Sequence, residues 1–101
     1  YGLVLLIFIK NFLTVCKVEF HKRALKDIEK LKENKLESKA KRLVEIIKEN
    51  PFQNPPPYEK LVGNLEGFIS RRINIQHRLI YQVLEDKKVI RIISLWSHYE
   101  F

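Results

Sequence analysis

Hydrophobic and polar positions divide the chain into one strand, two helices and three further strands. Residues 14–20 alternate β-branched or aromatic side chains with polar ones, which is typical of a strand. Over residues 21–33 and again over 36–50, apolar residues recur every three or four positions, which indicates two amphipathic helices packed as an antiparallel hairpin. Three more strands, forming an antiparallel meander, are predicted at residues 67–73, 78–84 and 89–96.

This order of elements predicts an α+β fold. Both helices should cover one face of the sheet and leave the other face open for binding. All four prolines fall between Pro51 and Pro57, so this stretch is expected to be an extended surface loop. The 101 residues suffice for one modest hydrophobic core, and we assign residues 14–101 to a single domain.

Residues 1–13 form an apolar N-terminal extension of unknown role. Its apolar run, residues 3–9, lacks the positively charged start of a signal peptide. It is also shorter than the roughly 20 apolar residues that span a bilayer, so no membrane partner is expected. An added strand, a dimer contact or a bound partner would each bury it.

The chain is basic, with 19 Lys and Arg against 12 Asp and Glu and a formal net charge of +7. Such a charge on a small domain favours a polyanionic partner, nucleic acid first. Lysines of both predicted helices contribute to it, namely Lys26, Lys30, Lys39 and Lys41. The single cysteine, Cys16, cannot form an internal disulfide, and the three histidines match no Cys/His zinc spacing. We therefore expect a cytoplasmic protein without a metal or another cofactor.

Two arginines mark the hairpin between the predicted strands of the meander. With the turn centred on Ile75, Arg72 and Arg78 lie opposite one another on one face, where like charges are destabilising unless an anion binds. Two solvated arginines that fan apart explain the pattern equally well. His77, in the turn, is expected to make structural hydrogen bonds.

The C-terminal residues 95–101 are rich in aromatic and titratable side chains. Aromatic rings stack on unpaired bases, and a histidine such as His98 can transfer a proton near neutral pH. A last strand that ends at a core Trp96, followed by a frayed tail, is the simpler alternative. Glu59 is likewise either a surface acid or a base beside the arginines.

Four segments resemble the Txe/YoeB family of bacterial toxins, within the RelE-like superfamily: PYEKL at 57–61, NLEGF at 64–68, SRRINIQHRLIY at 70–81 and WSHY at 96–99. The resemblance runs from about residue 14 to Tyr99. It implies a RelE-like fold and the toxin of a type II toxin–antitoxin system. Such a toxin is an endoribonuclease that cuts mRNA in the ribosomal A site. A cognate YefM/Axe-like antitoxin neutralises it and alone connects it to operator DNA, and a homodimer is a further option.

The resemblance also implies roles for individual residues in a metal-independent cleavage by the RNA's own 2′-hydroxyl. That reaction needs a base, an acid and positive charge for the phosphorane oxygens. Matched to the family motif, these are Glu59 as base, Arg72 and Arg78 as the clamp and His98 as acid, with Tyr99 as a contact to substrate or acid. Lys60 and Arg71 are expected as further RNA contacts. One departure is Val62, where some members carry a basic residue.

Two other functions compete with the nuclease. A toxin-fold protein without catalysis would capture only an antitoxin peptide or RNA. A DNA-binding repressor is less favoured, because neither helix is followed by a helix-turn-helix partner of suitable pattern. The joint presence of Glu59, Arg72, Arg78 and His98 favours the nuclease. The antitoxin is then expected to lay an acidic segment over the open sheet face.

Overall fold

The computed structural model describes residues 16–98, and for His98 the backbone alone. Within this range the chain forms two helices, five strands and two short 3-10 turns. In chain order the helices and strands are β1 Lys17–Phe20, α1 Lys22–Glu33, α2 Glu37–Glu49, β2 Glu59–Lys60, β3 Phe68–Arg72, β4 His77–Leu84 and β5 Val89–His98. The predicted α+β class is confirmed. Residues 1–13, whose role we left open, lie outside the described residues.

Local side chains set the ends of the first helix. At its start, Nδ1 of His21 accepts a hydrogen bond from the Arg23 N–H at 3.2 Å. At its end, the side-chain amide of Asn34 donates to the Lys30 carbonyl at 2.7 Å. The chain then turns through Lys35, whose φ is +58°, and α2 follows within two residues.

Among the described residues, one mixed sheet has the strand order β1-β5-β4-β3-β2. The three strands β3, β4 and β5 form the antiparallel meander that the sequence predicts. At one side β1 adds parallel to β5, and at the other the two-residue strand β2 adds antiparallel to β3. The strand β2 was not predicted, because two residues are too few to show an alternating pattern.

The hydrophobic core lies between the helices and one face of the sheet. Side chains alternate along a strand, so every second residue faces the core. From the sheet, the core includes Ile69, Leu79, Tyr81, Ile90 and Ile92. From the helices, it includes Ala24, Leu31, Ala40, Leu43 and Ile47. The residues between them along the strands face away from the helices, which leaves the predicted open face.

A buried carboxylate joins the first helix to the last strand. The Oδ2 atom of Asp27 accepts hydrogen bonds from the Leu95 N–H at 3.0 Å and from the Ser94 hydroxyl at 3.3 Å. Both bonds lie close to the shifts in register between β4 and β5 on either side of Ile80. Asp27 thus supplies an acceptor near a break in the ladder, where backbone groups need other partners.

Candidate functional site

The turn between β3 and β4 sets the register of the site. The Oδ1 atom of Asn74 accepts from the N–H groups of Gln76 and His77, at 2.9 and 2.7 Å. This is the local hydrogen bonding for which asparagine is favoured in turns. In the resulting register Arg72 pairs directly with Arg78. The predicted juxtaposition of the two arginines is therefore confirmed.

A carboxylate faces these arginines from the short edge strand. Glu59, in β2, is paired with Ser70 of β3. Its Oε2 atom lies 3.8 Å from Nη1 of Arg78, which also donates to the Ser70 hydroxyl at 3.3 Å. The Arg78 side chain is 16% exposed and that of Glu59 is 62% exposed. The arginine is thus held from two sides, while the carboxylate stays open to solvent.

These groups border one cleft of about 310 Å³ on the open face of the sheet, lined by Pro57, Tyr58, Glu59, Ser70, Arg72 and Arg78. Two guanidinium groups can bind the oxygens of a phosphodiester there. An adjacent carboxylate can accept a proton. The cleft therefore joins an anion site to a candidate base.

Of the two residues expected to assist in RNA binding, Lys60 is exposed. It lies next to Glu59 in β2, and its Nζ sits 5.6 Å from the centre of the Phe52 ring. It is not among the residues that line the cleft. A direct contact between Lys60 and RNA remains a prediction.

Arg71 corrects the prediction that it contacts RNA. It is 1% exposed, because alternation along β3 turns it to the face opposite Arg72. Its guanidinium donates four hydrogen bonds to neutral oxygens: to the Tyr81 hydroxyl at 3.0 Å and to the carbonyls of Pro51 at 3.1 Å, Gln53 at 2.8 Å and Pro56 at 2.6 Å. These bonds compensate the cost of burying the charge. They also occupy the donors that a phosphate would need.

Tyr81 completes this buried network. Its hydroxyl accepts from Nε of Arg71 and donates to the Pro51 carbonyl at 2.6 Å. Burial raises the pKa of the phenol above its usual value of 10.0, and the Arg71 hydrogen bond and charge oppose that shift only in part. The hydroxyl therefore stays protonated at neutral pH and able to donate to Pro51.

The last strand brings its C-terminal end beside the cleft. In the register of β4 and β5, Ser97 lies opposite Arg78 and the backbone of His98 opposite His77. His77 is buried, and its ring stacks on that of Trp96 with centroids 3.7 Å apart. The stacked pair anchors this end of the sheet. Tyr99, the other predicted site residue of the tail, lies outside the described residues.

Within 16–98, no group of three or more His, Cys, Asp and Glu side chains is arranged to hold a metal ion. In the same range, no helix is both long and apolar enough to cross a membrane.

Comparisons with known proteins agree with the fold. Residues 20–99 match a family described as YoeB-like toxin of bacterial type II toxin–antitoxin system. The chain is similar to a Synechocystis protein named Toxin YoeB, with 37% identity over 68 residues that cover 67% of this chain and 77% of that protein.

Two solved structures from Staphylococcus aureus are also similar. One is a YoeB dimer, with a TM-score of 0.71, 35% identity and coverage of 84% of this chain and 99% of that chain. The other is a heterotetrameric YoeB–YefM toxin–antitoxin complex, with a TM-score of 0.69, 36% identity and coverage of 83% and 98%.

Proposed function

The chain belongs to the YoeB-like toxin family of bacterial type II toxin–antitoxin systems, and on that premise we propose that it is a ribosome-dependent endoribonuclease that cuts mRNA in the cytoplasm. The observation that carries the proposal is the cleft on the open face. There the Glu59 carboxylate lies 3.8 Å from the Arg78 guanidinium, with Arg72 on the same cleft. Base and positive charge thus stand together where a phosphodiester can enter.

In the proposed reaction Glu59 takes the proton of the 2′-hydroxyl, whose oxygen attacks the neighbouring phosphorus. The guanidinium groups of Arg72 and Arg78 stabilise the charge that develops on the phosphorane oxygens. His98 donates a proton to the departing 5′-oxygen. The bond from phosphorus to the 2′-oxygen forms and the bond to the 5′-oxygen breaks, which leaves a 2′,3′-cyclic phosphate and a 5′-hydroxyl.

Two further residues assist in this proposal. Tyr99 follows His98 directly and contacts the substrate or the acid. Lys60 supplies positive charge beside Glu59 on the exposed edge strand, where a phosphate of the mRNA backbone passes. Neither residue takes part in bond making, so their loss should weaken cleavage less than the loss of His98.

A cognate antitoxin is the proposed protein partner. A relative from S. aureus forms a YoeB–YefM complex, and another S. aureus structure is a YoeB dimer. We infer that a YefM-like antitoxin lays an acidic segment over the open face and neutralises Arg72 and Arg78, since opposite charge speeds and directs association. Operator DNA is contacted only through that antitoxin, and the toxin can pair with a second copy.

The proposal is tested with purified protein, ribosomes and a defined mRNA, by mapping the RNA ends. His98→Ala should lower the cleavage rate by about 10²–10⁴-fold, because a positioned acid is worth that much. Ribosome affinity should stay near that of the parent. Lys87→Ala, an exposed change in the turn before β5, serves as the control and should cleave normally.

Two results would contradict the proposal at different points. Cleavage by His98→Ala within about threefold of the parent, far less than a catalytic acid supplies, would remove His98 from the reaction. No cleavage by the parent on programmed ribosomes, with antitoxin binding intact, would leave the alternative of a protein that only binds.

A further inference from the structure

We propose that Arg71 is a positioning residue, which holds the proline-rich loop of residues 51–57 and through it fixes Glu59 in the cleft. The role given to Glu59 rests on the proposed function. The hold of Arg71 on the loop rests on contacts in the structure alone. Arg71 lies on the inner face of β3 and so acts without touching RNA.

The contacts span the whole loop. From one guanidinium, hydrogen bonds reach the carbonyls of Pro51, Gln53 and Pro56, which are the start, the middle and the end of this segment. The Tyr81 hydroxyl adds a second bond to the Pro51 carbonyl, at 2.6 Å. Arg71 therefore ties both ends of the loop to the sheet, and Tyr81 adds to its hold on the first end.

The loop leads directly to the candidate base. Tyr58 follows it, and its ring centre lies 4.9 Å from the Cζ atom of Arg71. The next residue is Glu59. The strand that carries Glu59 has only two residues, paired with Ser70 and Ile69. So short a pairing specifies position weakly. Besides the ion pair with Arg78, the loop contacts therefore set where the carboxylate stands.

Only an arginine can make this set of contacts. Its planar fork directs several donors to separate acceptors at once, whereas a lysine offers a single compact ammonium. Arg71→Lys keeps the charge and most of the length, but it gives up the simultaneous hold on three carbonyls. It is therefore the variant that loosens the loop with the least other change.

The decisive experiment is a double-mutant cycle in the ribosome-dependent cleavage assay. Arg71→Lys should lower kcat on the order of 10²-fold, the effect of misplacing a catalytic group by about 1 Å. KM should change by less than about threefold, because substrate binding is not touched. In a Glu59→Gln background the same change should lower kcat by less than about twofold more, since it acts only through Glu59.

The control is Ile92→Val, which removes one methyl group from a fully buried core position in β5. It lies opposite Tyr81 and lowers stability, but it removes none of the hydrogen bonds to the loop, so its kcat should stay near the parent. Tyr81→Phe is a second test variant, in case Arg71→Lys folds poorly. It keeps the ring but removes the hydroxyl that bonds to both Arg71 and Pro51. It should also lower kcat, by a smaller factor than Arg71→Lys.

Hydrogen exchange tests the hold on the loop without any activity. The Leu61 N–H, just after β2, donates to the Phe68 carbonyl at 2.9 Å. Its exchange should accelerate in Arg71→Lys and Tyr81→Phe but not in Ile92→Val, because local opening precedes exchange.

Unchanged exchange in both test variants would overturn the inference. The inference would also be overturned if adding Arg71→Lys to Glu59→Gln lowered kcat by the same factor, on the order of 10²-fold, as it does in the parent. A parent that fails to cleave RNA refutes the proposed function, whereas the exchange result still decides the role of Arg71.

Discussion

Arg71 and Arg72 are neighbours in sequence and yet do opposite things. Arg72 stands on the solvent side of β3 beside Arg78, and Arg71 is enclosed on the core side. The cause is the two-residue period of a strand, which sends adjacent side chains to opposite faces. One arginine therefore lines the cleft, and the other is committed to the loop.

Tyr81 gives a prediction at this scale. Its pKa is raised in the folded protein by burial, so above about pH 10 the native state binds more protons than the unfolded state. The stabilisation by neutral Tyr81 is complete below pH 10 and is lost as the pH rises through the folded pKa. The free energy of unfolding in urea should fall more steeply between pH 9 and 11 for the parent than for Tyr81→Phe. Ile92→Val, the control, removes no titratable group and should keep the parental slope. Equal slopes in the parent and Tyr81→Phe would contradict the assignment.

At the scale of elements, the junction between α1 and β5 gives a second prediction. Asp27→Ala leaves the buried Leu95 N–H without its acceptor, which should lower the free energy of unfolding by about 1–3 kcal/mol. Glu29→Ala, an exposed change on the same helix, should have little effect. Urea denaturation at neutral pH measures both. A loss no larger for Asp27→Ala than for Glu29→Ala would show that another group satisfies Leu95.

The helices and the hairpin were predictable because their signals are long. Helical spacing recurs over several turns, and alternation on either side of Asn74 fixes which residues pair. The strand β2 is too short to carry such a signal. Asp27 did carry one, because it falls on the apolar stripe of Ala24, Ile28 and Leu31, where a charged residue needs a buried partner. The partner itself lies 68 residues away in sequence and could not be identified.

The candidate site was predictable in part. The register of the hairpin placed Arg72 and Arg78 together, and the resemblance added Glu59 from a segment that pattern alone left as surface. Arg71 was misplaced when it was expected to contact RNA. Alternation already predicted that it faces inward when Arg72 faces outward. His98 and Tyr99 keep their proposed roles as predictions, supported by the run of β5 to the edge of the cleft.

At the scale of the whole molecule, the positive charge extends well beyond the cleft. Lys26, Lys30, Lys39 and Lys41 are all exposed on the helices. Changing all four to Glu should weaken ribosome binding at low salt and flatten its dependence on salt, since fewer counterions are released. A single Lys26→Glu should have little effect. Unchanged binding by the fourfold variant in a titration at low salt would show that this face is merely solvated.

The place of β5 in the sheet has a consequence for the timing of synthesis. Of the described strands, Val89–His98 is the last to leave the ribosome. In the sheet, however, it lies between β1 and β4. Within residues 16–98, it is also the strand with which β1 pairs. Contacts so distant in sequence form late in folding. A nascent chain that ends before Val89 has neither a completed sheet nor the proposed acid, so under the proposed function an unfinished chain cannot cleave the mRNA of the ribosome that makes it.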